Sequence, residues 1–183
     1  MNMFTFESVY DSIVKEYIRD HRPSAKDEAI RFQNMKSLGH AIAEAANSDL
    51  PSGKPHPHQK RVPAASLDMA RDRLLKLELP LSKCQSFEEI HSLIESAVSG
   101  IPEIGPLTVY DIAHRIGEFL RKEPEFVYMH KTATKASRAL GRAASGGKLA
   151  IRGLPAPFEN LKAYEIVDCF FIFRSRLRSI SNS

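Results

Sequence analysis

Apolar residues recur along most of this chain every three to four positions, the spacing that gathers them on one face of an α-helix. Phe6, Val9, Tyr10, Ile13, Val14, Tyr17 and Ile18 predict an amphipathic helix over residues 5–20, broken by His21, Arg22 and Pro23. Ser24, followed by Asp27 and Glu28, is a helix-start signal, because its hydroxyl can accept from the exposed amides of a first turn. The helix it opens carries Phe32, Met35, Leu38, Ile42 and Ala45 on one face and ends near Asn47. Leu67, Ala70, Leu74 and Leu77 mark a third helix, stopped by Pro80. Ser86 and Glu89 form a capping box for a fourth, with Phe87, Ile90, Leu93, Ile94 and Ala97 inward. Pro106 suits the first position of a fifth, running to about Arg121 with Val109, Ile112, Ile116 and Phe119 inward. Pro124 begins a short connector from Glu125 to His130, and a sixth helix is expected over roughly 132–144. The last segment, Pro157 to Ile180, carries both signals. Leu161, Ile166 and Cys169 suit a helix, whereas Phe170-Phe171-Ile172-Phe173 would suit a buried strand, and helix is the reading adopted.

The expected fold is therefore all-α, a single globular helical domain. An N-terminal helical pair covers 1–47, a Pro/His-rich loop 48–64 and a helical core 65–183. Residues 48–63 hold four prolines and a glycine, which disfavours regular structure. A chain of 183 residues with 43% hydrophobic and 26% charged residues has enough core to fold without disulfides or a structural metal. Cys84 and Cys169 have neither metal-ligand spacing nor a disulfide pattern, so both are read as reduced thiols of a cytoplasmic protein. Met1 to Asp11 lacks the basic flank and apolar stretch of a secretory signal, and no apolar run is long enough to span a bilayer. No membrane partner, metal or cofactor is expected.

The net charge of +4 hides an asymmetry. Residues 1–129 carry 16 basic and 19 acidic residues, net −3, while residues 130–183 carry 10 basic and 3 acidic, net +7. A basic end on an acidic body suits a polyanionic partner. Lys131, Lys135, Arg138 and Arg142 fall at intervals of 4, 3 and 4, which puts them on one face of the sixth helix. Lys148 follows just after Gly146-Gly147. These cations are candidates for contacts along a phosphate backbone, with a solvated helix face as the plain alternative.

Between the fourth and fifth helices runs Ile101-Pro102-Glu103-Ile104-Gly105-Pro106-Leu107-Thr108. It resembles the helix-hairpin-helix DNA-binding motif, whose hairpin reads Leu-Pro-Gly-Val-Gly followed two residues later by Thr-Ala. Ile101 and Ile104 take the apolar positions, Gly105 the second glycine and Thr108 the threonine, while Glu103 replaces the first glycine. The resemblance implies that the backbone of Ile104, Gly105, Leu107 and Thr108 holds a phosphate at a helix N-terminus, where bare N–H groups and the helix dipole favour an anion. Over Ile101–Gly141 the chain is distantly similar to the endonuclease III-type DNA glycosylases. Pro124 to His130 resembles their connector and Ser137-Arg138-Ala139-Leu140-Gly141 the end of their following helix. The match covers about 40 of the 183 residues. The family's catalytic residues do not carry over. Met129 or His130 stands at its aspartate position, Leu107 at its lysine position, and four cluster cysteines are absent. His130 as a base, Lys131 as an amine nucleophile and His58 of the loop are the substitutes on offer.

Two further features stay open. His56 and His58, one residue apart in a basic loop, could donate to a metal only with a third ligand such as His130, His114 or Asp111. An exposed linker or a phosphate-contacting arm reads as well. Asp111 and His114, three apart, are expected on the outer side of the fifth helix as a local pair. The expectation is thus a DNA-binding protein, on duplex DNA and with little sequence specificity, since no helix presents amide side chains suited to base edges. A nucleic-acid-processing enzyme of DNA glycosylase-like fold and a protein-interaction module are the alternatives.

Overall fold

A computed structural model describes residues 3–47, 62–129 and 144–181. Helices dominate it: α1 (Met3–Asp20), α2 (Arg22–Gln33), α3 (Leu38–Asn47), α4 (Ala64–Leu75), α5 (Glu78–Ser82), α6 (Phe87–Val98), α7 (Pro106–Leu120), α8 (Ala156–Glu159), α9 (Ala163–Ile172) and α10 (Arg174–Ser181). β1 (Val127–Tyr128) and β2 (Lys148–Leu149) form a two-residue antiparallel ladder. The all-α class read from the sequence is the class observed. Among the described residues no helix is long and apolar enough to cross a membrane.

The chain divides into two compact units, one of residues 1–26 with 124–183 and one of residues 27–123. In the first, α1 packs on α8 and α9, and β1 also packs on α9. Tyr10, Ile13, Val14 and Tyr17 bury the inner face of α1. Aromatic edges continue the core from Tyr10 to Phe158 and on to Phe170. Arg22 grips the buried Glu165 with two hydrogen bonds of 2.6 and 2.9 Å, and the Tyr17 hydroxyl donates to Asp168 at 3.0 Å. Cys169 is fully buried beside these carboxylates. Burial, then the Asp168 and Glu165 charges, push its thiol above the ordinary range, so it stays protonated and is no nucleophile. The helix reading of the last segment is what α9 and α10 show. The Phe-rich run sits in a helix that is buried on most sides, where periodicity no longer separates helix from strand.

The second unit is built around α7, which packs on α6 and α3, while α3 also contacts α4 and α5 and α4 contacts α6. Residues Thr108 to Ala113 and Arg115 to Glu118 are all buried. Asp111 and His114 therefore do not lie on an outer face. Asp111 is 8% exposed, and His114 stacks on Tyr110 with its Nε2 3.4 Å from Glu118. Amphipathic spacing predicts one outer face for a peripheral helix, but α7 is central and uses ion pairs to bury its polar residues. Arg115 Nε donates to Glu28 Oε1 at 2.8 Å. Gln33 Nε2 donates to Glu118 Oε2 at 2.7 Å.

Two boundaries differ from the sequence reading. The predicted second helix is two helices, α2 and α3, because the chain turns at residues 34–37 and Ser37 Oγ accepts from the His40 amide at 3.2 Å. Phe32 and Leu38 are buried on either side of this break, so the apolar spacing runs across it undisturbed. Pro80 does not end helical structure, since it lies inside α5. It occupies the first turn of that short helix, where an amide has no intrahelical acceptor to lose.

α7 ends tightly. Arg121 adopts φ 58°, and the Lys122 amide returns to the Gly117 carbonyl at 2.9 Å, a left-handed helix stop that places Lys122 over Gly117. A Cβ on Gly117 would lie 2.6 Å from the Lys122 carbonyl oxygen and 3.2 Å from Phe87 Cδ2. We expect Gly117→Ala to destabilise the protein by about 1–3 kcal/mol through this overpacking. Urea unfolding checks it, and an unchanged midpoint would contradict the fit.

Candidate nucleic-acid interface

The corner between α6 and α7 is assembled from local chemistry. Ser86 caps α6 by accepting from the Glu89 amide at 3.2 Å, and Glu89 returns to the Gln85 amide at 2.7 Å. After Val98, Gly100 takes φ +75°. The Ile101 amide bonds back to Val98 at 3.1 Å, and Ile101, 5% exposed, anchors the turn in the core. Pro102 and Glu103 then stand out in solvent, and the Ile104 amide closes on the Ile101 carbonyl at 3.4 Å. Proline at the second position and a positive φ at the third are the marks of a type II turn. That third position is Glu103, at φ 61°.

The position where the helix-hairpin-helix motif has its first glycine is thus the one whose backbone here is left-handed, the region glycine enters at least cost. We expect Glu103→Gly to raise stability by up to about 1 kcal/mol by relieving this conformation, a gain readable as a higher thermal midpoint. A lower midpoint would contradict the assignment.

Gly105 is the N-cap of α7 at φ −100°, ψ 175°, with Pro106 at the first helical position and no acidic residue in the first turn. A Cβ on Gly105 would meet nothing within 4 Å. The Val109 amide is the first to find a helical acceptor, the Gly105 carbonyl at 3.0 Å. The amides of Gly105, Leu107 and Thr108 donate to no described backbone carbonyl. Ile104, Gly105 and Leu107 are partly buried and Pro106 is exposed, while Thr108 is 4% exposed. The corner is at the surface, with Ile101 and Thr108 turned inward as its two pins.

A residue that sequence spacing did not single out also meets this corner. Arg73 of α4 donates from Nη1 to the Ala97 carbonyl at 3.1 Å and the Ser99 carbonyl at 3.0 Å. In sequence it is one more surface cation on a helix. Only the packing of α4 on α6 brings it to the start of the turn.

The other candidates are distributed as follows. Lys148 is partly buried on β2, with its Nζ 5.3 Å from the centre of the Tyr128 ring. Met129 donates to the Gly147 carbonyl at 2.8 Å, so the described residues on either side of 130–143 are tied together by the β ladder. Lys131, Lys135, Arg138, Arg142 and His130 lie outside the described residues, as do His56 and His58 and the expected sixth helix. Among the described residues no group of three His, Cys, Asp or Glu side chains is placed to hold a metal ion. No protein-family model matches the chain, and neither does any curated protein or solved structure.

Proposed function

We propose that the protein binds DNA through backbone phosphates and with little sequence preference, holding one phosphate at the Ile101–Thr108 corner. The observation that carries this reading is the surface turn in front of α7, where the amides of Gly105, Leu107 and Thr108 lack backbone acceptors and nothing of the protein fills the space beside Gly105. A 15-residue helix stands behind those amides, and its dipole adds a favourable potential for an anion. The left-handed Glu103 supports the likeness to the hairpin motif, since backbone shape is kept where the glycine is not. The net charge of +7 over residues 130–183 supplies the sequence-independent attraction such binding needs.

The test is a titration of labelled duplex, single-stranded and abasic oligonucleotides at 50 and 200 mM salt. Neutralising four or five phosphates predicts a loss of affinity on the order of a hundredfold between those concentrations. Duplex affinity independent of base sequence is expected. Binding that ignores salt, or no binding at 50 mM, would end the reading. Release of a base from any duplex would move the assignment to a nucleic-acid-processing enzyme.

A further inference from the structure

We infer that Arg73 is a second phosphate contact beside the hairpin, so that the ligand of this corner is a run of backbone phosphates and not an isolated anion. The inference rests on the DNA-binding reading above and adds to it a residue from outside the hairpin.

Arg73 is held in place by its Nη1 alone, which donates to the carbonyls of Ala97 and Ser99. These are among the last groups of α6 and the first of the turn, where free carbonyls attract a guanidinium. Its Nε and Nη2 donate to no described acceptor, and the residue is exposed. A guanidinium is a planar fork of five donors. With one arm fixed, the remaining edge is a pre-oriented donor pair matched to a phosphate. The neighbouring arginine differs: Arg71 is spent on Asp68 and Asp72 at 2.7 and 2.9 Å.

A second observation concerns Thr108. Its side chain is 4% exposed, and no hydrogen bond of its hydroxyl to a described residue is present. Helical Cα–Cβ bonds tilt toward the N-terminus, so from the third position of α7 this hydroxyl points back at the corner. An almost buried hydroxyl without a partner marks the same end of α7 as a place where a polar ligand completes the structure. The corner then offers amides and a hydroxyl from α7, and a cation from α4 fixed to the Ser99 carbonyl at the turn's other end.

The experiment measures duplex affinity of the full chain against salt for wild type, Arg73→Gln and Arg73→Lys. Loss of one phosphate contact makes the slope of log affinity against log salt shallower by about 0.9, with a five- to tenfold loss of affinity expected at 100 mM salt. Arg73→Lys keeps the charge and is expected to restore the slope. A capping role alone lowers the thermal midpoint of Arg73→Gln without moving the slope, and that outcome overturns the inference while the DNA reading stands. Absence of wild-type binding overturns both. Phenylglyoxal modification of the wild-type protein with and without duplex supplies the same answer should Arg73→Gln not fold. Protection of Arg73 by DNA is expected, and equal reactivity overturns the inference.

Discussion

Replacing Arg115 with methionine is expected to lower the unfolding free energy by about 3 kcal/mol. Arg115 is 4% exposed; its Nε donates to Glu28 at 2.8 Å and its Nη1 reaches the Ala45 carbonyl at 3.4 Å. Methionine fills much of the arginine stem, so cavity formation contributes little. The cost arises from what is left behind, a carboxylate placed against a wall that no longer answers it. Removing one partner of a buried pair costs about 3–5 kcal/mol. The Glu28 side chain is 25% exposed, so water reaches part of the stranded charge and the lower end applies. Because total stabilities are about 5–15 kcal/mol, the variant should unfold at clearly lower urea. Adding Glu28→Gln to Arg115→Met should recover part of the loss, since the unpaired charge is then gone. A loss under about 1 kcal/mol for the single variant, or no recovery in the double, would mean that the pair does not hold α7.

This dependence also explains which parts of the molecule could be read in the sequence. α6 and α7 were legible because their ends are written in local chemistry: Ser86 with Glu89 at one start, Pro106 at the other. The corner between them followed from Pro102 and Gly105. α1 was legible because it has a single buried face. The α2–α3 break was not, because Phe32 and Leu38 keep the apolar spacing across a turn made by an ordinary serine cap. Asp111, His114, Arg115 and Glu118 share one face of α7 in any helical projection, and polar residues in that pattern normally mean solvent. Their burial depends on Glu28 and Gln33, 87 and 85 positions away from their partners. Nothing local announces such a pairing. Arg73 was hidden for the same reason, as its two acceptors lie in the next helix and the turn beyond it. The β ladder is two residues long, too short for alternation to register.

Gly105→Asp should separate the fold from the proposed function, moving them in opposite directions. Gly105 has the extended backbone of an N-cap, and aspartate is among the residues most favoured there. Its carboxylate would accept from the Thr108 amide and oppose the positive end of α7, with open space around its Cβ. Stability should hold or rise by a few tenths of a kcal/mol. The same carboxylate takes the amides a phosphate would use and repels it. Duplex affinity is therefore expected to fall by well over tenfold at 100 mM salt, while Gly105→Ala, which adds bulk without charge, loses less. No damaged fold can mimic this pattern, because a damaged fold would lower the thermal midpoint and the affinity together. An aspartate variant that melts no lower than wild type and still binds duplex DNA equally well would reduce the corner to a turn, and leave any DNA affinity to the basic C-terminal third alone.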